Sequence, residues 1–123
     1  MIPEIWRELR DLAQFTQDDA EEWYELCRSC KERLENRLRP GVDVNQHRTL
    51  LCRAAAGLAF YEAALVLSAR GEWGSFAAGD LKLSQDASAR LKAAEAVRNA
   101  RLEEIAPLLR DDRFVFREVK GHG

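Results

Sequence analysis

The side chains best suited to chemistry in this sequence are three cysteines and a histidine. Cys27 and Cys30 form a C-x-x-C pair, and His47 and Cys52 follow further along the chain. A C-x-x-C pair exchanges disulfides when it opens a helix, because the helix dipole lowers the pKa of the thiol. Zinc binding is the other chemistry open to these residues, since structural zinc sites are built from four cysteine or histidine ligands.

Spacing along the chain favours a packing role for the cysteine pair. Both cysteines lie on one apolar stripe of a predicted helix, whose residues recur at intervals of three and four. The stripe comprises Trp23, Leu26, Cys27, Cys30, Leu34 and Leu38. The pair therefore lies in mid-helix, and we expect both side chains to face the core. Zinc is disfavoured because no second pair matches the first, and His47 is interpreted as a solvated or capping residue.

The remaining polar residues do not form a catalytic pattern. The carboxylate pairs Glu21-Glu22, Glu103-Glu104 and Asp111-Asp112 are adjacent in sequence, and neighbouring helix positions point in different directions. The glycines of "GEWGSFAAG" follow a predicted helix and lack the lysine of a phosphate-binding loop. The sequence thus predicts a protein that is not an enzyme, with no catalytic, cofactor-binding or metal-binding residues. Three cysteines without a visible export signal predict reduced thiols in the cytoplasm.

Composition indicates a single folded domain over residues 1–123. Hydrophobic residues make up 46% of the chain and charged residues 33%, and 19 basic residues face 21 acidic ones. This balance gives no overall attraction to nucleic acid or to acidic membranes. Basic residues recur on the predicted helices at Arg28, Lys31, Arg37 and Arg39, and again at Arg90, Lys92, Arg98 and Arg101. Interleaved acids favour a solvated surface, and the alternative is a rim that contacts phosphates without sequence preference.

Helical periodicity covers most of the chain and predicts four helices. They are expected from Ile2 to Phe15, from a cap at Thr16 to the "RPG" turn at 39–41, from a cap at Asp43 or Asn45 to about Arg70, and from a cap at Ser84 or Asp86 to a kink or end at Pro107. The third helix has the length of a membrane span. Arg53 and Glu62 lie inside it, so we predict the buried centre of the fold and expect no membrane partner.

The stretch "GEWGSFAAGDLKLSQ", residues 71–85, breaks the helical pattern. Its second half alternates with a period of two, which places Leu81 and Leu83 on one face of a strand, and "AGD" has turn chemistry. We predict a short β-hairpin or extended arm here, between the third and fourth helices. The fold class is therefore mostly α, a four-helix domain with this hairpin. Phe114 and Phe116 alternate in a short extended piece, and 119–123 is a loose tail.

A core follows from these patterns. The predicted core residues are Leu9, Trp23, Leu26, Cys27, Cys30, Leu34, Leu51, Leu58, Tyr61, Leu65, Leu91, Val97 and Ile105. The arm lies outside this set, and an isolated two-stranded hairpin is weakly stable. It must therefore pack onto the helices or gain stability in an assembly, where its open edges and aromatic side chains can contact another chain.

The layout from Val44 to Leu109 resembles the head–tail connector (adaptor) proteins of tailed bacteriophages and prophages. The matching features are an apolar helix carrying Tyr61, a "GD" turn at Gly79 and Asp80, and the short strand "LKL". Where such proteins often have an aromatic residue after "GD", this chain has Leu81.

The resemblance implies a structural protein that forms rings with copies of itself between portal and tail proteins. Such a ring lines a passage for DNA, without sequence-specific contacts, in the bacterial cytoplasm and then in the virion. The residues expected to carry assembly are Trp73, Phe76, Gly79, Asp80, Leu81 and Leu83. A different hypothesis is a small helical adaptor or regulatory module that binds a partner in a groove. An enzyme or metal protein using the three cysteines is the third.

Overall fold

The computed structural model describes residues 1–16, 19–70 and 87–110, which form four α-helices. These are α1 (Ile2–Ala13), α2 (Ala20–Glu35), α3 (Arg48–Arg70) and α4 (Ala87–Glu104), followed by a 3₁₀ turn at Ala106–Leu108. The mostly α fold with four helices is confirmed. The predicted hairpin at 71–85, the extended piece around Phe114 and the tail at 119–123 lie outside the described residues.

Helix α3 is the centre of the fold. It packs against α1, α2 and α4, and its residues from Ala54 to Ala59 are all buried. Small side chains along this stretch let the neighbouring helices approach closely. Within the described ranges, α3 is the one helix long and apolar enough to cross a membrane, a test that the core helix of a bundle also passes. The prediction of a buried central helix is confirmed.

Helices α1 and α2 are joined through an aromatic stack. The ring of Phe15 lies between those of Trp6 and Trp23, with centroid distances of 6.3 and 5.2 Å. The turn begins at Gln14, whose backbone adopts φ 62°, so that the chain reverses directly after α1. The stack fixes the corner between the two helices because each ring covers the flat face of the next.

Two predicted helix starts differ from the structure. Helix α2 begins at Ala20, so Thr16 is not its cap; the Thr16 backbone N–H and hydroxyl instead donate to the carboxylate of Asp19. Helix α3 begins at Arg48, after a turn in which the Asn45 N–H donates to the carboxylate of Asp43. In both places a short acidic side chain forms a local turn in place of the first helical turn. The caps predicted at Ser84 or Asp86 lie outside the described residues.

Among the described residues, one β-bridge closes the end of the bundle. Leu38 pairs with Leu109 in antiparallel fashion. The Arg39 N–H donates to the Leu108 carbonyl at 2.8 Å, and the Arg110 N–H donates to the Arg37 carbonyl at 2.7 Å. Helix α4 ends before Pro107, as predicted, because proline cannot continue the helical hydrogen bonds. The bridge therefore connects the segment that follows α4 to the segment that follows α2.

Most of the predicted core is buried, with one clear exception. The buried members are Leu9, Trp23, Cys27, Cys30, Leu34, Leu51, Leu58 and Ile105, and the half-buried ones are Leu26, Tyr61, Leu91 and Val97. Leu65 was expected in the core and is 42% exposed, so that prediction is wrong. The reason is geometric: the three neighbouring helices leave one strip of α3 uncovered.

Candidate functional site

The cysteine pair of α2 is fully enclosed. Cys27 and Cys30 have no exposed surface and lie in the same core as Trp23 and Leu34. Burial, with a smaller contribution from Cys30, raises the pKa of the Cys27 thiol to about 12. Burial and the nearby Glu62 carboxylate raise the pKa of Cys30 to about 11, against an opposing effect of Arg33. The predicted core packing of this pair is confirmed by the burial of both side chains. The raised pKa values favour protonated thiols at neutral pH.

We expect the native thiols to be nearly inert toward Ellman's reagent at pH 8. The raised pKa values cut the thiolate fraction of Cys27 and Cys30 roughly 100- to 1000-fold relative to an exposed cysteine, and the thiolate is the nucleophile. Unfolding in guanidinium should release all three thiols at once. The matched control is Ser29→Cys, because Ser29 is exposed between the two cysteines. A rapid reaction of two thiols in the native wild type would contradict the burial of the pair.

The other two candidate metal ligands from the sequence are Cys52 and His47. Cys52 is buried on α3, where burial is the main cause of its raised thiol pKa. His47 lies in the turn before α3, and its carbonyl accepts the N–H of Leu51 in the first helical bond. In residues 1–16, 19–70 and 87–110, no group of three or more histidine, cysteine, aspartate or glutamate side chains is arranged to hold a metal ion.

A charged groove of about 200 Å³ runs between α1 and the start of α3. Its lining residues are Glu4, Arg7, Glu8, Asp11, Arg48, Thr49, Cys52 and Arg53. Arg48 donates two hydrogen bonds to the Glu4 carboxylate at 2.9 and 3.0 Å, which is the main cause that lowers the pKa of Glu4 to about 2. Arg48 and Glu4 of this groove therefore form an ion pair that connects α3 to α1.

Arg101 joins α4 to the same groove. Its guanidinium donates to the Glu8 carboxylate at 3.1 Å and to the Arg53 carbonyl at 3.2 Å, and the side chain is only 13% exposed. A second pair connects Arg53 to Glu104 at 3.7 Å. These contacts fix α4 against α1 and α3, so the charged groove contains a structural clamp between three helices.

A second, mainly apolar groove lies between α2, α3 and α4. It has a volume of about 270 Å³, and its lining residues are Leu26, Leu58, Tyr61, Glu62, Leu65, Val66 and Arg98. Leu65 and Val66 are 42% and 38% exposed, which makes them two of the three most exposed large aliphatic residues in the described chain. We call this surface the apolar groove. Leu65 and Val66 are adjacent in sequence and both line the groove, and contiguous apolar patches are found at protein-binding surfaces.

Charged side chains border the apolar groove in opposite-sign pairs. Arg33 pairs with Glu62 at 2.7 Å. The Arg98 guanidinium lies 4.5 Å from the centroid of the Tyr61 ring and pairs with Glu95 at 3.6 Å. A cation held over an aromatic face leaves the arginine stem against apolar surface. The groove therefore has an apolar floor and a border without net charge.

The basic residues noted in the sequence are distributed over several faces. On α2, Arg28 and Lys31 pair with Glu25 and Glu35. Arg98 and Arg101 on α4 contact Tyr61 and Glu8, as described above. Neighbouring carboxylates thus neutralise these four cations, in keeping with the mixed-sign surface that the sequence predicts.

The residues predicted to carry assembly lie outside the described residues. They are Trp73, Phe76, Gly79, Asp80, Leu81 and Leu83. The described chain stops at Arg70, the last residue of α3, and resumes at Ala87, the first of α4. Sequence reasoning missed the apolar groove, because it placed Leu65 in the core and gave Val66 no role. The contact between the Arg98 guanidinium and the Tyr61 ring could not be read from sequence spacing either, since the two residues are on different helices.

Comparisons with known proteins give no relative for this chain: no protein-family model, curated protein or solved structure matches it.

Proposed function

We propose that this chain is a non-enzymatic assembly protein of the kind that joins the head and tail of a bacteriophage. The observation that carries the proposal is the exposure of Leu65 and Val66 beside the apolar groove, near the end of α3. Burying two aliphatic side chains of this size in a contact with another chain is favourable, since apolar surface leaves water.

The roles of the cysteines and of two carboxylates within the fold support the proposal of a structural protein. Cys27 and Cys30 fill the core, and the carboxylates of Glu4 and Glu8 hold arginines of α3 and α4. Helices fixed in this way present a rigid surface, and a rigid surface loses little conformational entropy when it binds.

The sequence of the arm supports the same function. Val66 lies four residues before Arg70, where the described part of α3 ends and residues 71–85 follow. The resemblance to head–tail connectors assigns assembly to that segment, with portal and tail proteins and further copies as partners. It also gives the setting, which is a passage for DNA in the bacterial cytoplasm and later in the virion.

The proposal is tested by replacing residues 76–83 with a glycine–serine linker of the same length. We expect the variant to keep the helical circular dichroism of the wild type and to lose assembly, measured as molar mass by light scattering. The linker keeps the connection between α3 and α4, so that a shortened loop cannot explain the loss. Loss of the helical signal would instead show that the segment belongs to the core, and an unchanged assembly would exclude its role.

A second candidate function is an adaptor module that binds one partner helix. The apolar groove favours it, because an amphipathic helix binds in a groove through a few aliphatic anchors. The two functions differ in their partners: an assembly protein binds copies of itself, and an adaptor stays monomeric. Portal, capsid and tail genes beside the gene for this chain would favour the first function.

A further inference from the structure

The β-bridge at the end of the bundle brings three arginines together. Leu38 pairs with Leu109, so that Arg37 and Arg39 in one segment become neighbours of Arg110 in the other. The Arg110 N–H donates to the Arg37 carbonyl at 2.7 Å, which places these two residues directly opposite each other. We call Arg37, Arg39 and Arg110 the arginine cluster. The fold creates it, because Arg110 is far from the other two in sequence.

The arginine cluster lies on the outer side of the bridge. Leu109 is 1% exposed and faces the core, and successive residues of an extended segment alternate between two faces. Arg39 and Arg110 are exposed, and Arg37 is half-buried. The Arg110 guanidinium donates to the Asn36 carbonyl at the end of α2, which uses one of its five N–H donors. The remaining donors of Arg110 are available to a ligand.

The cluster differs from the other cations of the fold in its charge balance. Most of the others pair with a carboxylate: Arg28 with Glu25, Lys31 with Glu35, Arg33 with Glu62, Arg48 with Glu4, Arg53 with Glu104, Arg70 with Glu22, Arg98 with Glu95 and Arg101 with Glu8. Among the residues that the structure describes, no carboxylate forms an ion pair with Arg39 or Arg110. Like charges directly opposite each other are destabilising, so the pairing of Arg37 with Arg110 calls for an anion.

The surroundings of the cluster do not cancel its charge. Glu35, at the end of α2, already pairs with Lys31. The carbonyl end of α2 contributes only about half a negative charge. Two aspartates and one arginine follow Arg110 at 111–113, outside the described residues, and add a net charge of −1 to the +3 of the three arginines. The end of the bundle therefore stays positive in a chain whose net charge is −2.

The geometry points to the arginine cluster as a binding site for a phosphate group. Opposite residues of a bridge have Cα atoms about 5.5 Å apart, so two guanidinium groups can reach one phosphate. A guanidinium donates two parallel hydrogen bonds to phosphate oxygens, and the anion removes the repulsion between the arginines. The phosphate can be a free ion or part of a polynucleotide backbone. This inference does not rest on the proposed function, which uses none of the three residues.

The test uses the intact chain in about 50 mM salt, where screening is weak. A fluorescein-labelled single-stranded oligonucleotide is titrated by fluorescence anisotropy, and inorganic phosphate is titrated by NMR of the ¹⁵N-labelled chain. We expect the amide signals of Arg39 and Arg110 to shift. Arg39→Gln should weaken binding about fivefold, the size expected for an exposed ion pair. Arg37→Gln combined with Arg39→Gln should weaken it at least about tenfold and flatten the salt dependence.

The matched control is Lys92→Gln. Lys92 is exposed on α4, about 18 Å along the helix from Glu104, so this variant removes one positive charge away from the cluster. We expect it to bind like the wild type. Circular dichroism should be unchanged in all variants, since the Arg39 side chain makes no contact that holds the helices.

The two titrations separate the sources of the phosphate. Binding of the oligonucleotide alone assigns the cluster to a polynucleotide backbone, and binding of inorganic phosphate at millimolar concentration assigns it to a small phosphate ligand. The inference is overturned if neither probe binds, if the double variant binds as well as the wild type, or if Lys92→Gln weakens binding equally. None of these results bears on assembly, which is measured separately as molar mass.

Discussion

Replacing Gly57 with leucine is expected to destabilise the fold by about 3 kcal/mol, at the upper end of the cost of overpacking. Gly57 lies where α3 meets α4. A Cβ atom added there would be 3.3 Å from Arg101 Cδ and 3.4 Å from the Cα of Arg98. Arg101 cannot move away freely, because Glu8 and the Arg53 carbonyl hold its guanidinium. Chemical denaturation followed by circular dichroism measures the change.

Two variants calibrate the Gly57 result. Gly57→Ala should be close to neutral, because the tight contact offsets a gain of about 1 kcal/mol in helix propensity. Ala69→Leu adds the same side chain to an exposed position of the same helix and should change stability little. If Gly57→Leu unfolds at the same denaturant concentration as Ala69→Leu, α3 and α4 are not packed as closely as described.

Replacing Trp23 with alanine is expected to cost about 4 kcal/mol, within the range for a buried tryptophan. Trp23 is 5% exposed, and its ring stacks on Phe15 with an angle of 5° between the planes. The Arg70 guanidinium lies 6.0 Å from its centroid, so the variant also loses a contact with the end of α3. Since small domains are stable by about 5–15 kcal/mol, this is a large share of the total.

Trp23→Phe separates the stack from the loss of volume. Phenylalanine can still stack on Phe15, and we expect it to lose less than half as much free energy of unfolding as alanine, or about 1–2 kcal/mol. Urea unfolding of the three proteins, monitored at 222 nm, gives the comparison. Equal losses for both variants would mean that the aromatic stack does not hold the corner between α1 and α2.

The helices themselves could be predicted from the sequence because their stabilising pattern is local. Intervals of three and four place Trp23, Cys27, Cys30 and Leu34 on one face of α2, and all four are buried. Pro107 predicted a kink or an end of α4, and the helix ends at Glu104. Helix starts were less well predicted, since Asp19 and Asp43 form local turns that compete with the first helical turn.

The grooves could not be predicted because they depend on contacts between distant residues. Helix α3 is apolar around nearly its whole circumference, so periodicity could not show which strip would remain uncovered. Leu65 was therefore placed in the core, although α1, α2 and α4 leave it exposed. The ion pair of Arg101 with Glu8 joins residues at opposite ends of the chain, and nothing local marks it.

Three structural features support the proposed assembly function. The clamp formed by Arg48 and Arg101 holds the helices in place, and the buried cysteines fill the core between them. For contact with another protein, the described surface then offers the apolar groove with Leu65 and Val66. The central claim is that the chain is an assembly protein, and that copies of it bind one another.

Native mass spectrometry of the intact chain tests that claim most directly. The monomer has a mass of 14.0 kDa, so each subunit added shifts the spectrum by a known amount. The account predicts one closed oligomer, seen as a single integer multiple of the monomer mass that stops growing as concentration rises. A spectrum with the monomer alone at every concentration would contradict self-assembly and favour the adaptor module.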